Sequence, residues 1–216
     1  MTDTAETAPI EIRSVNEQRV EAALRVIARR WTTSMVQVLA PQQAPMRVCD
    51  IAAHLPSVAN AYGLLNQMHA DGLVTRSGDH TGISYQLSDR GRALSPVHRA
   101  LFGWSWLHLP IRTTVYAERV EDAARRLHSR KSTAVVQALD ELGTTSILSV
   151  AKKVGTVPGH ASRRLERLRS DGLAARTGPH HGAPYKLTDA GGALGPVYSA
   201  VESWHEFPEW TPTQGR

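Results

Sequence analysis

Apolar residues in the first hundred positions recur at the spacing of amphipathic helices. The first apolar stripe consists of Val20, Leu24, Ile27 and Trp31. After a break near Thr32 the stripe continues through Leu39, which predicts a second helix. A short helix over 48–54 and a longer helix over 59–70 follow, and Gly72 is typical of a residue that ends such a helix.

Two short segments after these helices have the composition of strands. They span 73–76 and 84–87, and the glycine-bearing turn 77–82 joins them into a predicted hairpin. Ser88 then offers a side-chain oxygen to cap a last helix, whose apolar face ends at Trp104. Helix, helix, turn, helix, hairpin and helix is the order of a winged helix-turn-helix domain.

The whole pattern returns 100 residues later without a gap, so that 71–73, for example, recurs as 171–173. Roughly a third of the positions match, against about one in fifteen expected from ordinary residue usage. We therefore interpret the chain as a duplication. The duplicated pattern predicts a mostly α fold with small β-hairpins (α+β), made of tandem winged helix-turn-helix domains. The predicted parts are a flexible N-terminus 1–15, domain 1 at 16–106, a linker 107–115, domain 2 at 116–206 and a C-terminal tail 207–216.

The hairpin and terminal helix of each unit carry a family pattern. Segments 71–76 and 85–97, followed by Trp104, and the counterpart 187–197 resemble the HxlR type of winged-helix regulators, relatives of the MarR group. The stretch 30–32, which contains Trp31, resembles the sequence at the start of that family's second helix. In the second unit Lys131 stands in place of this tryptophan.

This resemblance implies a transcriptional regulator that binds double-stranded DNA. Members of the family are typically homodimers with one winged helix per chain, paired through their terminal helices. A chain that fuses two units implies an intramolecular pseudo-dimer, and a homodimer of such chains stays open.

Composition and charge favour a soluble protein with an anionic partner. The chain has 25 lysines and arginines against 20 acidic residues, a formal net charge of +5. Segment 1–9 lacks the features of a signal peptide, and no apolar run approaches the roughly 20 residues that span a bilayer, so we expect a cytoplasmic protein without a membrane partner. The single cysteine, Cys49, cannot form an intramolecular disulfide, and we expect it to be a small buried core residue rather than a redox sensor.

The predicted recognition helix of domain 2, at 158–170, has a cationic outer face. Ala161, Leu165 and Leu168 face inwards, which turns the basic residues outwards. Arginine and lysine at this place in the fold contact phosphates and base edges, and a merely solvated charged face is the alternative. The predicted DNA-contacting residues of domain 2, with its hairpin tip included, are His160, Ser162, Arg163, Arg164, Arg167, Arg176, His180 and His181.

The corresponding helix of domain 1 lacks this charge, because segment 58–70 contains no lysine or arginine. Asn60 could still read an adenine edge, and Tyr62 a sugar or phosphate. The alternative is a helix that has lost DNA contact or serves another surface. Arg76 and His80 at this hairpin tip, like Arg176, His180 and His181 at the other, suit a minor groove. The alternative is that Arg76 and Arg176 pack along their own hairpins.

Six aromatic residues lie on helices that are predicted to meet between the two units. A cavity there could hold a small, flat aromatic ligand, and simple interface packing is the alternative. The predicted ligand-binding residues are Trp31, Trp104, Trp106, Tyr116, Tyr198 and Trp204.

Other chemistry finds little support in the sequence. The histidines lack metal-ligand spacing, and there is no phosphate loop or nucleophile elbow, so we predict no metal and no cofactor. Enzyme activity stays open but is the less favoured reading. The function predicted is a DNA-binding transcriptional regulator that contacts DNA mainly through domain 2 and is modulated by a ligand at the inter-domain interface. The alternative is a winged-helix scaffold that no longer binds DNA and serves as a small-molecule-binding protein or an enzyme.

Overall fold

The computed structural model describes residues 12–55, 59–79, 82–180 and 182–207. The helices of the first half are α1 (Glu17–Ile27), α2 (Thr32–Leu39), α3 (Val48–His54), α4 (Ala61–Ala70), α5 (Asp89–Arg92) and α6 (Ser95–His108). Those of the second half are α7 (Tyr116–Leu127), α8 (Ser132–Leu142), α9 (Ile147–Val154), α10 (Pro158–Ser170), α11 (Asp189–Gly192) and α12 (Gly195–His205). The strands are β1 (Met46–Arg47), β2 (Val74–Asp79), β3 (Gly82–Leu87), β4 (Ala174–Arg176) and β5 (Tyr185–Leu187).

The strands form two small antiparallel sheets beside the helices. In the first half the strand order is β1-β3-β2, and in the second half β4 pairs with β5. A backbone bridge between Thr145 and Tyr185 stands where β1 pairs with β3 in the first half. The mostly helical α+β winged helix-turn-helix fold predicted from the sequence is confirmed.

Several predicted boundaries need correction. The first hairpin has longer strands than predicted, since β2 extends to Asp79 and β3 begins at Gly82, which leaves a shorter turn than 77–82. Helix α4 begins at Ala61 rather than at 59, because Asn60 caps it. The predicted last helix is divided into α5 and α6, with Ser88 capping α5 through a 3.0 Å bond from the Gly91 amide.

A close backbone contact explains two of the glycines that recur 100 residues apart. A Cβ atom on Gly91 would lie 2.1 Å from the carbonyl oxygen of Leu73, and one on Gly191 would lie 2.2 Å from that of Leu173. Any side chain at either position would push the short helix away from the start of its hairpin. The same order of helices, hairpin and terminal helix therefore follows the same local constraint in both halves.

The two halves share one hydrophobic core. Helix α1 packs against α12, while α7 packs against both α2 and α6. Buried residues of the two halves belong to a single apolar cluster, which includes Leu109 from the segment between them. The domain limits at 16–106 and 116–206 stay predictions.

Two tryptophans exchange equivalent hydrogen bonds across this interface. The indole Nε1 of Trp104 donates to the carbonyl oxygen of Ala190 at 2.9 Å. The indole Nε1 of Trp204 donates to the carbonyl oxygen of Arg90 at 3.0 Å. Each donor and each acceptor is displaced by 100 residues from its counterpart, so the contact is reciprocal in the manner of an isologous interface.

Two glutamates make a second reciprocal contact. Glu121 on α7 accepts a 3.2 Å hydrogen bond from the amide of Thr33 at the start of α2 in the other half. Glu21 on α1 likewise interacts with backbone at the start of a helix in the other half, at Lys131 before α8, although its Oε1 atom has no hydrogen-bond partner. Burial raises the pKa of both carboxyls, and the backbone hydrogen bonds oppose that rise. The carboxylates thus act as helix N-caps supplied by the opposite half.

Candidate nucleic-acid interface

Helix α10 is held in place by one apolar face. Ala161, Leu165 and Leu168 are buried against the second half's core. Pro158 occupies the first turn, where its missing amide costs no helical hydrogen bond. The helix covers 158–170 as predicted, and it follows α9 after the turn at 155–157, where Gly155 has a φ of 65°. This arrangement leaves the opposite face of α10 outside the core.

The first turns of that outer face are the most accessible. His160 and Arg163 are exposed, and Ser162 is half-buried between them. The Arg163 Nε donates at 3.3 Å to the carbonyl oxygen of Gly159 within the same helix. A backbone carbonyl does not neutralise the guanidinium, so Arg163 presents its full charge at the N-terminal end of the helix, where recognition helices meet base edges.

Carboxylates already hold the arginines of the later turns. Arg167 Nε lies 2.9 Å from Asp171 Oδ2, and Arg169 Nε lies 2.9 Å from Glu166 Oε2. Both arginine side chains remain about half exposed, at 55% and 53%. Asp171 is only 7% exposed and holds Arg167 more firmly than Glu166 holds Arg169, yet both arginine side chains reach solvent and can approach a phosphate with part of their charge balanced.

Arg164 differs from its neighbours because it points towards the other half of the chain. Its side chain is only partly accessible, and burial lowers the pKa of its guanidinium, while the Glu21 carboxylate opposes that shift. Arg164 therefore belongs to the inner edge of the cationic face.

A cavity beside α10 brings in two residues that the sequence analysis did not select. It has a volume of about 550 Å³, and its wall includes Arg130 and Lys131, which precede α8, together with His160, Arg163 and Arg164. The replacement of tryptophan by Lys131 was visible in the sequence. Its position next to α10 depends on the packing of α8 against α10 and could not be predicted from spacing.

Helix α4 in the first half has a different outer face. The side-chain oxygen of Asn60 accepts a 2.8 Å hydrogen bond from the amide of Gly63, so it caps the helix and is engaged before any base could approach. Tyr62 is 47% exposed and remains available for a contact. Asn66 accepts a 2.8 Å hydrogen bond from the hydroxyl of Tyr85 on the hairpin.

The basic residues of the two hairpins differ in how far they are exposed. Arg176 stacks over the Tyr185 ring and donates to Glu166 Oε1 at 2.8 Å, so it packs along its own hairpin. Arg76 is paired in register with Tyr85 but is exposed, as is His180. His80 and His181 lie outside the described residues.

The six aromatic residues do not surround one common cavity. Trp104, Trp204 and Tyr198 are buried by packing between the halves, with exposures of 5%, 3% and 0%. Tyr116 stacks on Phe102 with ring centroids 4.7 Å apart, and Trp106 is 55% exposed.

Trp31 does line a cavity between the halves. This cleft has a volume of about 950 Å³ and is open to solvent on one side. Arg30 stacks on Trp31 with its guanidinium carbon 4.9 Å from the ring centroid. The other charged residues that line the cleft, apart from the histidine, are Arg112, Glu118, Glu121, Asp122, Arg125 and Arg126. We call this space the Trp31 cleft.

The prediction for Cys49 is wrong. Its thiol is exposed at the start of α3 and lies 3.6 Å from Asp50 Oδ1. The apolar stripe of this seven-residue helix is carried by Ile51, which is fully buried. Across the described ranges no group of three or more potential metal ligands occurs, and no helix there is long and apolar enough to cross a membrane.

Comparison with known proteins agrees with this geometry for the first half of the chain. Residues 26–112 match the family model described as HxlR-like helix-turn-helix. The matched segment starts near the end of α1 and runs past α6, so it includes the helix-turn-helix, the hairpin and the terminal helix. Searches of curated proteins and of solved structures found no significant match.

Proposed function

We propose that this protein is a DNA-binding transcriptional regulator. The observation that carries the proposal is the exposed cationic start of α10, with His160 and Arg163, in the recognition position of a winged helix-turn-helix. The match of 26–112 to an HxlR-like helix-turn-helix supports the same function from the other half of the chain. A net charge of +5 further favours a nucleic-acid partner.

DNA contact falls mainly on the second half in this proposal. Helix α10 offers arginines along its exposed face, whereas segment 58–70 contains no lysine or arginine and uses its Asn60 carboxamide as a helix cap. Affinity for DNA depends strongly on phosphate neutralisation, so an uncharged helix adds little to it. One chain then has one strong and one weak recognition helix.

The paired tryptophan and glutamate contacts support a further part of the proposal, an intramolecular pseudo-dimer. The donors of the two tryptophan bonds lie 100 residues apart, as do the acceptors. Glu121 and Glu21 each approach the backbone at the start of a helix in the other half. A single chain would then carry the two-fold interface that regulators with one winged helix per chain form between two copies.

The direct test of DNA binding is fluorescence anisotropy with duplex DNA from the region upstream of the protein's own gene, across a series of salt concentrations. We expect log K to fall linearly with log salt. Arg163→Ala should lower that slope by about 1, because one phosphate or base contact is lost. Arg99→Ala is the matched control, since Arg99 is equally exposed but lies on α6, outside both helix-turn-helix motifs.

Binding that does not depend on salt, or an equal effect of the two variants, would reject the role of α10. Absence of DNA binding under all salt conditions would favour the rival function, a winged-helix scaffold that binds small molecules or catalyses a reaction.

We also propose that the Trp31 cleft is where a small aromatic ligand modulates the regulator. The cleft joins the α1–α2 connection to α7, so a ligand there touches both halves. The anionic fluorophore 1-anilinonaphthalene-8-sulfonate is a suitable probe, because the Trp31 indole lines the cleft and four arginines there outnumber three carboxylates. We expect saturable fluorescence that Trp31→Ala removes and that Trp106→Ala, a change at an exposed indole outside the cleft, leaves intact. Equal binding by both variants would refute this site.

A further inference from the structure

Two segments of the second half bring basic side chains to the cavity between α8 and α10. These segments are the residues before α8 and the first two turns of α10, and the turn between α9 and α10 also lines the cavity. The basic side chains of the cavity are Arg130, Lys131, His160, Arg163 and Arg164. We call this space the basic cavity. None of the described residues that line it is acidic.

The equivalent positions of the first half lack this charge. Lys131, His160, Arg163 and Arg164 correspond, 100 residues earlier, to Trp31, Asn60, Gly63 and Leu64. Only Arg130 keeps a basic counterpart, which is Arg30. Four differences between the halves thus fall on the wall of one cavity, although they are separated by up to 33 positions in the chain. Such a concentration indicates a site for an anion that the first half does not have.

Two carboxylates of α1 lie behind the basic cavity and balance part of its charge. Lys131 Nζ is 3.6 Å from Glu17 Oε1, and Glu21 interacts with both Lys131 and Arg164. Burial raises the pKa of Glu21, because a carboxylate removed from water is less stable than a hydrated one. Asp171 also interacts with Arg164, so three carboxylates face the four permanent cations, and the cavity keeps an excess of positive charge.

We propose that the basic cavity binds the phosphate group of a small ligand, either inorganic phosphate or a phosphate monoester, and that its occupant competes with DNA for α10. Arginine forks and a lysine ammonium are the side chains that bind phosphate oxygens most strongly. Val135 and Ala161 provide an apolar wall for the organic part of a monoester.

A volume of about 550 Å³ is that of a small-molecule site, whereas a DNA phosphate would need only exposed cations. The partly buried Arg164 favours a ligand that enters the cavity. The competition follows because His160 and Arg163 belong both to the basic cavity and to the exposed start of α10. This second part rests on the proposed DNA-binding function, while the phosphate site itself does not.

The test of the site is isothermal titration calorimetry of the full chain with inorganic phosphate and with phenyl phosphate, in chloride buffer at constant ionic strength. The variant Lys131→Trp restores the residue of the first half. Trp31 has a φ of 72° and Lys131 a φ of 64°, so tryptophan is compatible with this left-handed backbone. Arg130→Ala is a second variant at an exposed position, and Lys152→Ala on α9 is the control outside the cavity.

We expect saturable binding that weakens at least about tenfold in Lys131→Trp and in Arg130→Ala, because each loses one charge-assisted contact. Lys152→Ala should bind as the unchanged protein does. No saturable binding of either probe, or equal binding by Lys131→Trp, would overturn the site.

The competition is measured with labelled duplex DNA. At equal ionic strength, replacing chloride by phosphate should weaken DNA binding, and Lys131→Trp should abolish that sensitivity. If phosphate does not bind while Lys131→Trp weakens DNA binding, the lysine serves the DNA backbone and the proposal is wrong. The calorimetric titration contains no DNA, so failure of the phosphate site and failure of the proposed function give separate results.

Discussion

The reciprocal tryptophan contacts predict how the two halves unfold. In Trp104→Phe the Ala190 carbonyl loses its 2.9 Å partner, and in Trp204→Phe the Arg90 carbonyl loses its 3.0 Å partner. A buried acceptor left without a donor costs about 1–3 kcal/mol. The smaller ring also leaves part of a well-packed site empty, since the two indoles are only 5% and 3% exposed. We expect each variant to lower the free energy of unfolding by about 2–3 kcal/mol.

Urea unfolding followed by far-ultraviolet circular dichroism measures this change without relying on tryptophan fluorescence. Because the halves share one core, we expect a single transition for the unchanged protein and for both variants. Trp106→Phe is the matched control, and its 55% exposed indole should be replaced at a cost within about 0.5 kcal/mol. Two separate transitions, or a loss no larger than that of the control, would refute a shared interface held by these bonds.

Three further predictions concern single residues. Burial lowers the pKa of His98 to about 4 from 6.5, so stability present above pH 6.5 should be lost as the pH falls towards 4. Relative to His98→Leu, the loss of stability should be about 3 kcal/mol. Urea unfolding at several pH values in this range would disprove the prediction if the difference in unfolding free energy between the two proteins stayed constant. Burial raises the pKa of Glu121 above 4.5, so ionisation of this carboxyl destabilises the folded state. The stability of Glu121→Gln should therefore rise relative to that of the unchanged protein as the pH increases from 4.5. A relative rise in the stability of the variant on acidification would contradict this. The exposed Cys49 thiol should react with 5,5′-dithiobis(2-nitrobenzoate) in the folded protein, and reaction only after denaturation would show that it is covered.

Local patterns predicted much of the fold because short-range physics determines it. Helix α10 was predicted at 158–170 and α3 at 48–54, since proline and apolar spacing define their limits. The α4 start was missed by two residues because Asn60 is a cap rather than a helical residue. The exposed Cys49 was missed because a seven-residue helix buries only Ile51, and spacing alone does not show which of its faces is covered.

The candidate site was less predictable, because side chains from distant segments neutralise or complete it. The sequence left open whether Arg176 contacts a groove or packs along its hairpin, and Glu166 and Tyr185 hold it along the hairpin. Lys131 joins Arg163 at the basic cavity only through the packing of α8 and α10. Of the six aromatic residues, Trp104 and Trp204 serve as hydrogen-bond donors in packed surroundings between the halves rather than as walls of a cavity.

Hydroxyl-radical footprinting tests most directly the claim that DNA contact falls mainly on the second half. The experiment uses the full chain at a concentration where light scattering shows one chain per duplex. The account predicts one protected segment of DNA. Arg163→Ala should weaken this protection, whereas Asn60→Ala should leave it unchanged, because the Asn60 side chain caps α4. Two equally protected segments, about 10 base pairs apart and both present with one bound chain, would show that α4 reads DNA as α10 does and would contradict the account.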